Sequence, residues 1–179
     1  MLAAPLGLLT ARRFADRWLR VAWRGSMPDS TSASDLALRL AVEDAVVRMF
    51  VATDERDWSL LEKCFTNPFT LDMTSMVGGA PSELTPGQVV QAWAAGFKPL
   101  DHVHHQIGNL RTEIHGDSAL VRCYGVAFHH RSHVVGLKTR VFVGSYELSL
   151  QARSDGWRIN RLVFKLKFID GNPELEKSA

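Results

Sequence analysis

Cysteine and tyrosine are scarce in this chain, two of each among 179 residues. Cys64 and Cys123 stand apart among apolar neighbours and fit no metal-ligand spacing. They read as buried free thiols of a reducing compartment, which argues against a disulfide scaffold. A surplus of one charge is also missing, the formal net charge being +2. Five arginines (Arg12, Arg13, Arg17, Arg20 and Arg24) crowd the first 25 residues, and the remainder is acidic to neutral. No basic face for nucleic acid is expected. No apolar run reaches the ~20 residues that a membrane-spanning helix needs. The apolar stretch Leu2 to Leu9 is followed by arginines and lacks a small-residue cleavage site, the wrong order for a secretory signal. The expectation is a cytoplasmic protein without nucleic-acid or membrane partners. There is no internal repeat, and Gly78-Gly79 is too isolated to cradle a phosphate.

What is present is enough for one well-buried core and too little for two. Residues 1–33 read as an N-terminal extension, poorly ordered or partly helical as a basic amphipathic segment, with Met27 a possible second start. Residues 34–172 form the domain and 173–179 a C-terminal tail. Ser34 and Asp35 suit a helix start. Leu38, Val42, Val46, Met49 and Phe50 then recur at helical spacing to about Thr53. A short helix follows Asp57 as far as Phe65, Asn67-Pro68 stops it, and Phe69 to Met73 reads as a strand. Thr85-Pro86 caps a third helix through Trp93 to about Gly96. Four strands complete the order: Val103–Glu113, Ala119–His130, Thr139–Arg153 and Trp157–Ile169, with a turn at Ser154-Asp155-Gly156. Helices first and consecutive antiparallel strands after indicate α+β, with the helices on one side of a curved sheet. Trp58, Trp93 and Trp157 are expected in the core.

Four spaced segments carry a resemblance: Asp54-Glu-Arg-Asp57-Trp58, Cys64-Phe65-Thr66, His104-His105-Gln-Ile-Gly-Asn109 and Asp155-Gly156-Trp157-Arg158-Ile159. In this order they resemble SnoaL-like proteins of the NTF2-like, cystatin-like superfamily over roughly residues 35–172. The members most similar in these segments are scytalone dehydratase and bile-acid dehydratases. The resemblance implies a cone in which three helices close a strongly bent antiparallel sheet around a deep apolar pocket.

It also implies a site. Asp54 matches an aspartate that orients a catalytic histidine, and His105 matches that histidine, in strand phase with Val103, Ile107 and Asn109. Proton abstraction beside a carbonyl needs a base with a pKa near neutrality, and a carboxylate on the far ring nitrogen fixes its tautomer. His129, in phase with Val121, Cys123 and Ala127, matches a second histidine. Ser145 matches a serine that helps hold the leaving hydroxyl, though a strand-pairing serine is an equal reading. Glu147 stands where the family has an asparagine. Asp72 lies within one residue of the aspartate base of ketosteroid isomerases. The family's substrate-polarising tyrosines fall at Thr53 and Met73, and another is lost near Met49 or Phe50. Tyr124 and Tyr146 are placed on the face away from the cavity, which leaves no group to activate a carbonyl.

The functional expectation is a cofactor-free dehydratase or isomerase acting on an apolar cyclic or polyketide-like molecule. Its catalytic residues would be Asp54, His105 and His129, with Ser145, Glu147, Asp72, Met73 and Phe50 contacting substrate. No metal is expected, because His102 and His104 share a face without a third ligand. The alternative is a non-catalytic binding or scaffold subunit, like the small subunits of ring-hydroxylating dioxygenases. The outward stripe Leu120, Tyr124, Val126 and Phe128 would serve such a partner, or a homodimer or homotrimer interface.

Overall fold

Helix α1 (Ala33–Asp54) places Val42, Ala45, Val46, Met49, Phe50 and Thr53 on one buried stripe, the stripe that the apolar spacing predicts. Leu38 is an exception at 40% exposure, because residues 33–41 all precede the part of the helix that meets the core. These elements come from a computed structural model that describes residues 32–176. The readings made for residues 1–31, the basic segment and the start at Met27, lie outside the described residues.

Three further helices follow: α2 (Trp58–Glu62), α3 (Thr74–Val77) and α4 (Pro86–Phe97). Asp57 caps α2 by accepting the Leu60 N–H at 2.9 Å. A capping box between Thr85 and Gln88 starts α4, with Pro86 in its first turn. The single-turn α3 follows the predicted strand Phe69 to Met73, in a stretch to which the sequence reading assigns no element. The strands are β1 (Phe65–Asp72), β2 (Ser82–Leu84), β3 (His102–His115), β4 (Ser118–His130), β5 (Thr139–Arg153) and β6 (Gly156–Gly171). They form one curved, open sheet in the order β2-β1-β6-β5-β4-β3. Its pairs are antiparallel except β1 with β6, which run parallel.

Two departures from the predicted elements have local causes. Strand β1 begins at Phe65, four residues before the predicted strand, and runs through Pro68. Proline donates nothing to a ladder, and the β1–β6 register accordingly breaks between Phe65 and Thr70. In β3 the register shifts between Gly108 and Arg111, at Asn109, whose φ of 56° is left-handed. This bulge exchanges the faces of the strand. Val103, His105 and Ile107 face inward before it, and Leu110, Thr112 and Ile114 after it, so Asn109 is exposed and not on the face of His105.

The core lies between α1, α2, α4 and the concave face of the sheet. Trp157 is buried, and Trp58 and Trp93 pack on the core from its edge. Cys64 and Cys123 are buried free thiols. Among the described residues no helix is long and apolar enough to cross a membrane. Two glycines facing inward shape the concave surface. Gly125 on β4 and Gly144 on β5 are register partners. A Cβ at Gly125 would stand 2.2 Å from the Tyr146 ring, and one at Gly144 would stand 2.6 Å from the Phe164 ring. Two aromatic rings therefore lie flat against the sheet where side chains would otherwise stand up.

This geometry sets opposite signs for two glycine substitutions. Gly125→Ala drives a methyl into the Tyr146 ring and is expected to cost about 1–3 kcal/mol. Gly96→Ala in α4, where an added methyl meets nothing within 4 Å, is expected to stabilise by a few tenths to about 1 kcal/mol. Denaturant midpoints of the two variants check both signs.

Candidate active site

The end of α1 is built to deliver Asp54. Arg56 adopts φ 57°, a left-handed value more usual for glycine. The Arg56 N–H donates to the Thr53 carbonyl at 3.2 Å and the Asp57 N–H to that of Ala52 at 2.9 Å. This double bond pattern is a Schellman ending. The Arg56 guanidinium then donates to the carbonyls of Leu100 at 2.6 Å and Phe97 at 3.3 Å. It thereby ties the end of α1 to the segment that leads into β3. Asp54 is left facing the first inward positions of that strand.

There Asp54 accepts twice from one residue. Its Oδ2 takes the backbone N–H of His105 at 2.7 Å, and its Oδ1 lies 2.6 Å from His105 Nδ1. Both side chains are nearly buried, at 12% and 11% exposure. With Nδ1–H donating to the carboxylate, Nε2 is the nitrogen left to accept a proton. The exposed His104 stands 3.8 Å from the same carboxylate on its outer side.

His105 opens onto a cavity of about 390 Å³, lined mainly by apolar side chains that include Phe50, Met73, Met76, Trp93 and Phe97. The two methionines line it without filling it. Thr53 also lines it, but its hydroxyl donates back to the Met49 carbonyl at 2.8 Å. The Phe50 ring packs between the His105 ring, 5.3 Å away, and the Tyr146 ring, 4.9 Å away.

His129 is a second cavity-lining histidine. The register pairs His105 with Ala127 and Val103 with His129, so the two histidines are diagonal neighbours on one face, a spacing of roughly 7–8 Å. The His129 ring meets Phe97 and Phe142 at their edges. Its Nδ1 lies 3.5 Å from Glu176 Oε1, the outer limit of a hydrogen bond, and Arg140 pairs with the same carboxylate. Burial lowers the His129 pKa to about 4, helped by the nearby Arg140 and His105 charges and opposed by Glu176. At neutral pH this imidazole is uncharged.

Glu176 was missed, since residues 173–179 read as a tail. Instead Leu175 is fully buried with Leu100, Val103 and Val134. The Arg131 guanidinium donates to the carbonyls of Leu175 and Glu176, both at 3.3 Å. The isolated Leu175 beside an acid was the available signal. Arg56 was missed for a different reason, because a left-handed arginine has no sequence signature.

Three expected contacts are not in the cavity. Ser145 and Glu147 lie on the outer face of β5, in a surface groove with Arg122 and Lys165. Glu147 pairs there with Arg122 at 3.2 Å and Arg161 at 3.5 Å. The inward residues of β5 are Phe142, Gly144, Tyr146, Leu148 and Leu150. A one-residue difference of phase separates them from the positions implied by resemblance, and Tyr146 is turned inward instead of outward. The alternation of Tyr146, Leu148 and Leu150 with Glu147, Ser149 and Gln151 was the correct signal. Asp72 is also outside the lining. It accepts from the Thr74 hydroxyl at 2.7 Å and the Thr74 N–H at 3.1 Å, and pairs with Arg161 at 3.6 Å. Those bonds hold its carboxyl below its usual pKa. Phe50 and Met73 line the cavity. Among the described residues no three histidine, cysteine or acidic side chains converge to hold a metal ion.

The neutrality of His129 has a measurable consequence. Its folded pKa lies below the unfolded value of 6.5, so between the two the unfolded chain binds more protons. Its contribution to stability is complete above about pH 6.5 and is lost as pH falls toward about 4. His129→Gln is expected to flatten the acid limb by up to about 1.4 kcal/mol per pH unit within that window. Urea midpoints of both proteins at about pH 7 and about pH 5 check this.

Comparison with known proteins agrees with this architecture. No curated protein matches the chain. Among solved structures, the Kfla4162 protein of Kribbella flavida superimposes with a TM-score of 0.75 at 22% identity, covering 80% of this chain and 99% of that one. A Novosphingobium aromaticivorans protein provisionally named a scytalone dehydratase gives 0.68 at 13% identity, covering 77% and 89%. A type 2 hexachlorocyclohexane dehydrochlorinase, LinA, gives 0.64 at 15% identity, covering 76% and 90%. Identities this low establish the fold alone. The SnoaL-like domain model matches residues 34–163, most of the chain and every element from the start of α1 to the centre of β6, and the chain therefore belongs to the SnoaL-like domain family.

Proposed function

We propose that this protein is a cofactor-free dehydratase, or an isomerase by the same first step, acting on an apolar cyclic molecule. The observation that carries this reading is the doubly held His105, 2.6 Å and 2.7 Å from the Asp54 carboxylate, on the wall of an apolar cavity of about 390 Å³. A carboxylate gripping both the ring and the backbone N–H allows the imidazole one orientation, so that Nε2 is aimed before substrate arrives. The apolar surroundings exclude water and strengthen any hydrogen bond formed inside.

In a β-hydroxyketone, Nε2 would take the proton from the carbon beside the carbonyl, and the C–H electron pair would move into an enolate. Collapse of the enolate breaks the C–O bond at the next carbon. The departing hydroxide takes the proton from the imidazolium and leaves as water, which returns the histidine to its starting state. Asp54 stabilises the transient imidazolium. Uncharged His129 is suited to hydrogen-bond the departing oxygen. If no leaving group is present, return of the proton at another carbon gives isomerisation. Two of the three structural relatives described above bear names of elimination enzymes, which supports the lyase branch.

A panel of hydroxylated cyclic ketones tests this reading. His105→Ala is expected to lower turnover about a hundred- to ten-thousand-fold, and Asp54→Asn to cause a substantial loss with ligand binding retained. Turnover unchanged in His105→Ala would sink the mechanism, whatever the substrate.

A further inference from the structure

The proposed elimination needs a donor for the oxygen on which negative charge would develop, and none of the tyrosine positions that the resemblance implies holds a tyrosine. Four hydroxyl side chains line the cavity: Thr53, Thr74, Ser82 and Tyr146. Thr53 donates to the Met49 carbonyl and Thr74 to the Asp72 carboxylate. Ser82 is exposed on β2. Tyr146 is buried, and among the described residues its hydroxyl has no hydrogen-bond partner. It is also not among the buried polar atoms sealed from contact, which are Arg140 Nε and Asn160 Oδ1. Its oxygen is therefore accessible, and Tyr146 is part of the cavity lining.

The sheet fixes where that oxygen goes. The Tyr146 ring leaves β5 and lies across Gly125 of the neighbouring β4, where a Cβ would fall 2.2 Å from Cε2 and 3.5 Å from Cζ. Gly125 is the register partner of Ile107 on β3, two residues along the same face from His105. The ring thus runs across the floor of the cavity toward the strand that carries His105, and Phe50 contacts both rings. Burial, with smaller contributions from Cys123 and the Asp54 carboxylate, raises the pKa of the phenol. It remains protonated, as a hydrogen-bond donor must.

We propose that Tyr146 binds the carbonyl oxygen of the substrate, and that the ligands of this cavity are cyclic ketones in preference to plain or halogenated hydrocarbons. This rests on the elimination reading and adds the substrate's functional group to it. As Nε2 of His105 takes the proton, the electron pair moves onto the carbonyl oxygen, and the Tyr146 O–H donates to that oxygen without transferring its own proton. The interaction strengthens as charge develops, so it accelerates the reaction as well as binding the ligand. A hydrocarbon or halocarbon ring would leave the phenol unpaired in an apolar site, which disfavours it.

The test uses the bicyclic ketone α-tetralone and its hydrocarbon counterpart tetralin. Neither can lose water, so the result is independent of turnover and of the Asp54–His105 pair. Wild-type protein is expected to bind α-tetralone about 3- to 10-fold more tightly than tetralin, the yield of one neutral hydrogen bond. Its bound carbonyl stretch should be lowered in the infrared. Tyr146→Phe keeps the ring over Gly125, so tetralin affinity should be unchanged, while the ketone preference disappears and the stretch rises. Should that variant lose tetralin binding as well, wild-type protein labelled at the oxygen-bearing tyrosine carbon gives a second reading. Only two tyrosines are present, and Tyr124→Phe assigns them. The Tyr146 resonance must then shift with α-tetralone and not with tetralin. A ketone preference that survives in Tyr146→Phe, an unshifted Tyr146 resonance, or binding of neither molecule by the wild type overturns the proposal. Loss of turnover in His105→Ala bears only on the elimination reading.

Discussion

Asp54 reaches His105 through two oxygens at once, one on the ring and one on the backbone. A carboxylate held to the ring alone could swing with it. Held also to the N–H of the same residue, it fixes the side chain relative to the strand. The grip depends on α1 ending where it does, with Arg56 in a left-handed conformation and its guanidinium on the carbonyls at the entrance to β3. Inward placement of His105 depends in turn on the bulge at Asn109 falling beyond it. Helix end, strand start and bulge converge on one contact, and the rest of the cavity is arranged around it.

The two histidines of the cavity occupy adjacent strands of the same face and receive different treatment. His105 has a close carboxylate of its own. His129 shares a more distant one with Arg140, and burial keeps it uncharged. One residue type thereby presents a carboxylate-held imidazole and a buried uncharged one, separated by environment alone. The carboxylate that accompanies His129 comes from beyond the last strand, where Leu175 anchors the chain in a small apolar cluster.

Gly125 and Gly144 show how a missing side chain makes a surface. Their partnership across β4 and β5 leaves two adjacent places on the concave face with no Cβ, and the Tyr146 and Phe164 rings lie down in them. The ring positions on the cavity floor follow from these absences more than from the aromatics themselves. Tyr146 also shows which sequence signal to rely on. Period-two alternation in β5 pointed inward through Tyr146, Leu148 and Leu150, while matching to relatives favoured Ser145 and Glu147. The alternation reports burial directly, whereas matching across a bulged sheet carries the phase of another protein.

The order of elements, the long α1, the β3 to β6 succession and the two inward histidines were legible in the sequence, because apolar periodicity and turn residues are local signals. The pairing of Asp54 with His105 was available only by resemblance, since 51 positions separate them and no local pattern connects a helix end to a strand. The parallel β1–β6 pair, the exchange of faces at Asn109, the inward turn of Tyr146 over Gly125 and the return of Glu176 to His129 were decided by tertiary structure alone. Each depends on which backbone lies beside which, and on where a register slips by one residue. Local sequence determines what a segment can become. Packing among distant segments determined which of its side chains face the cavity.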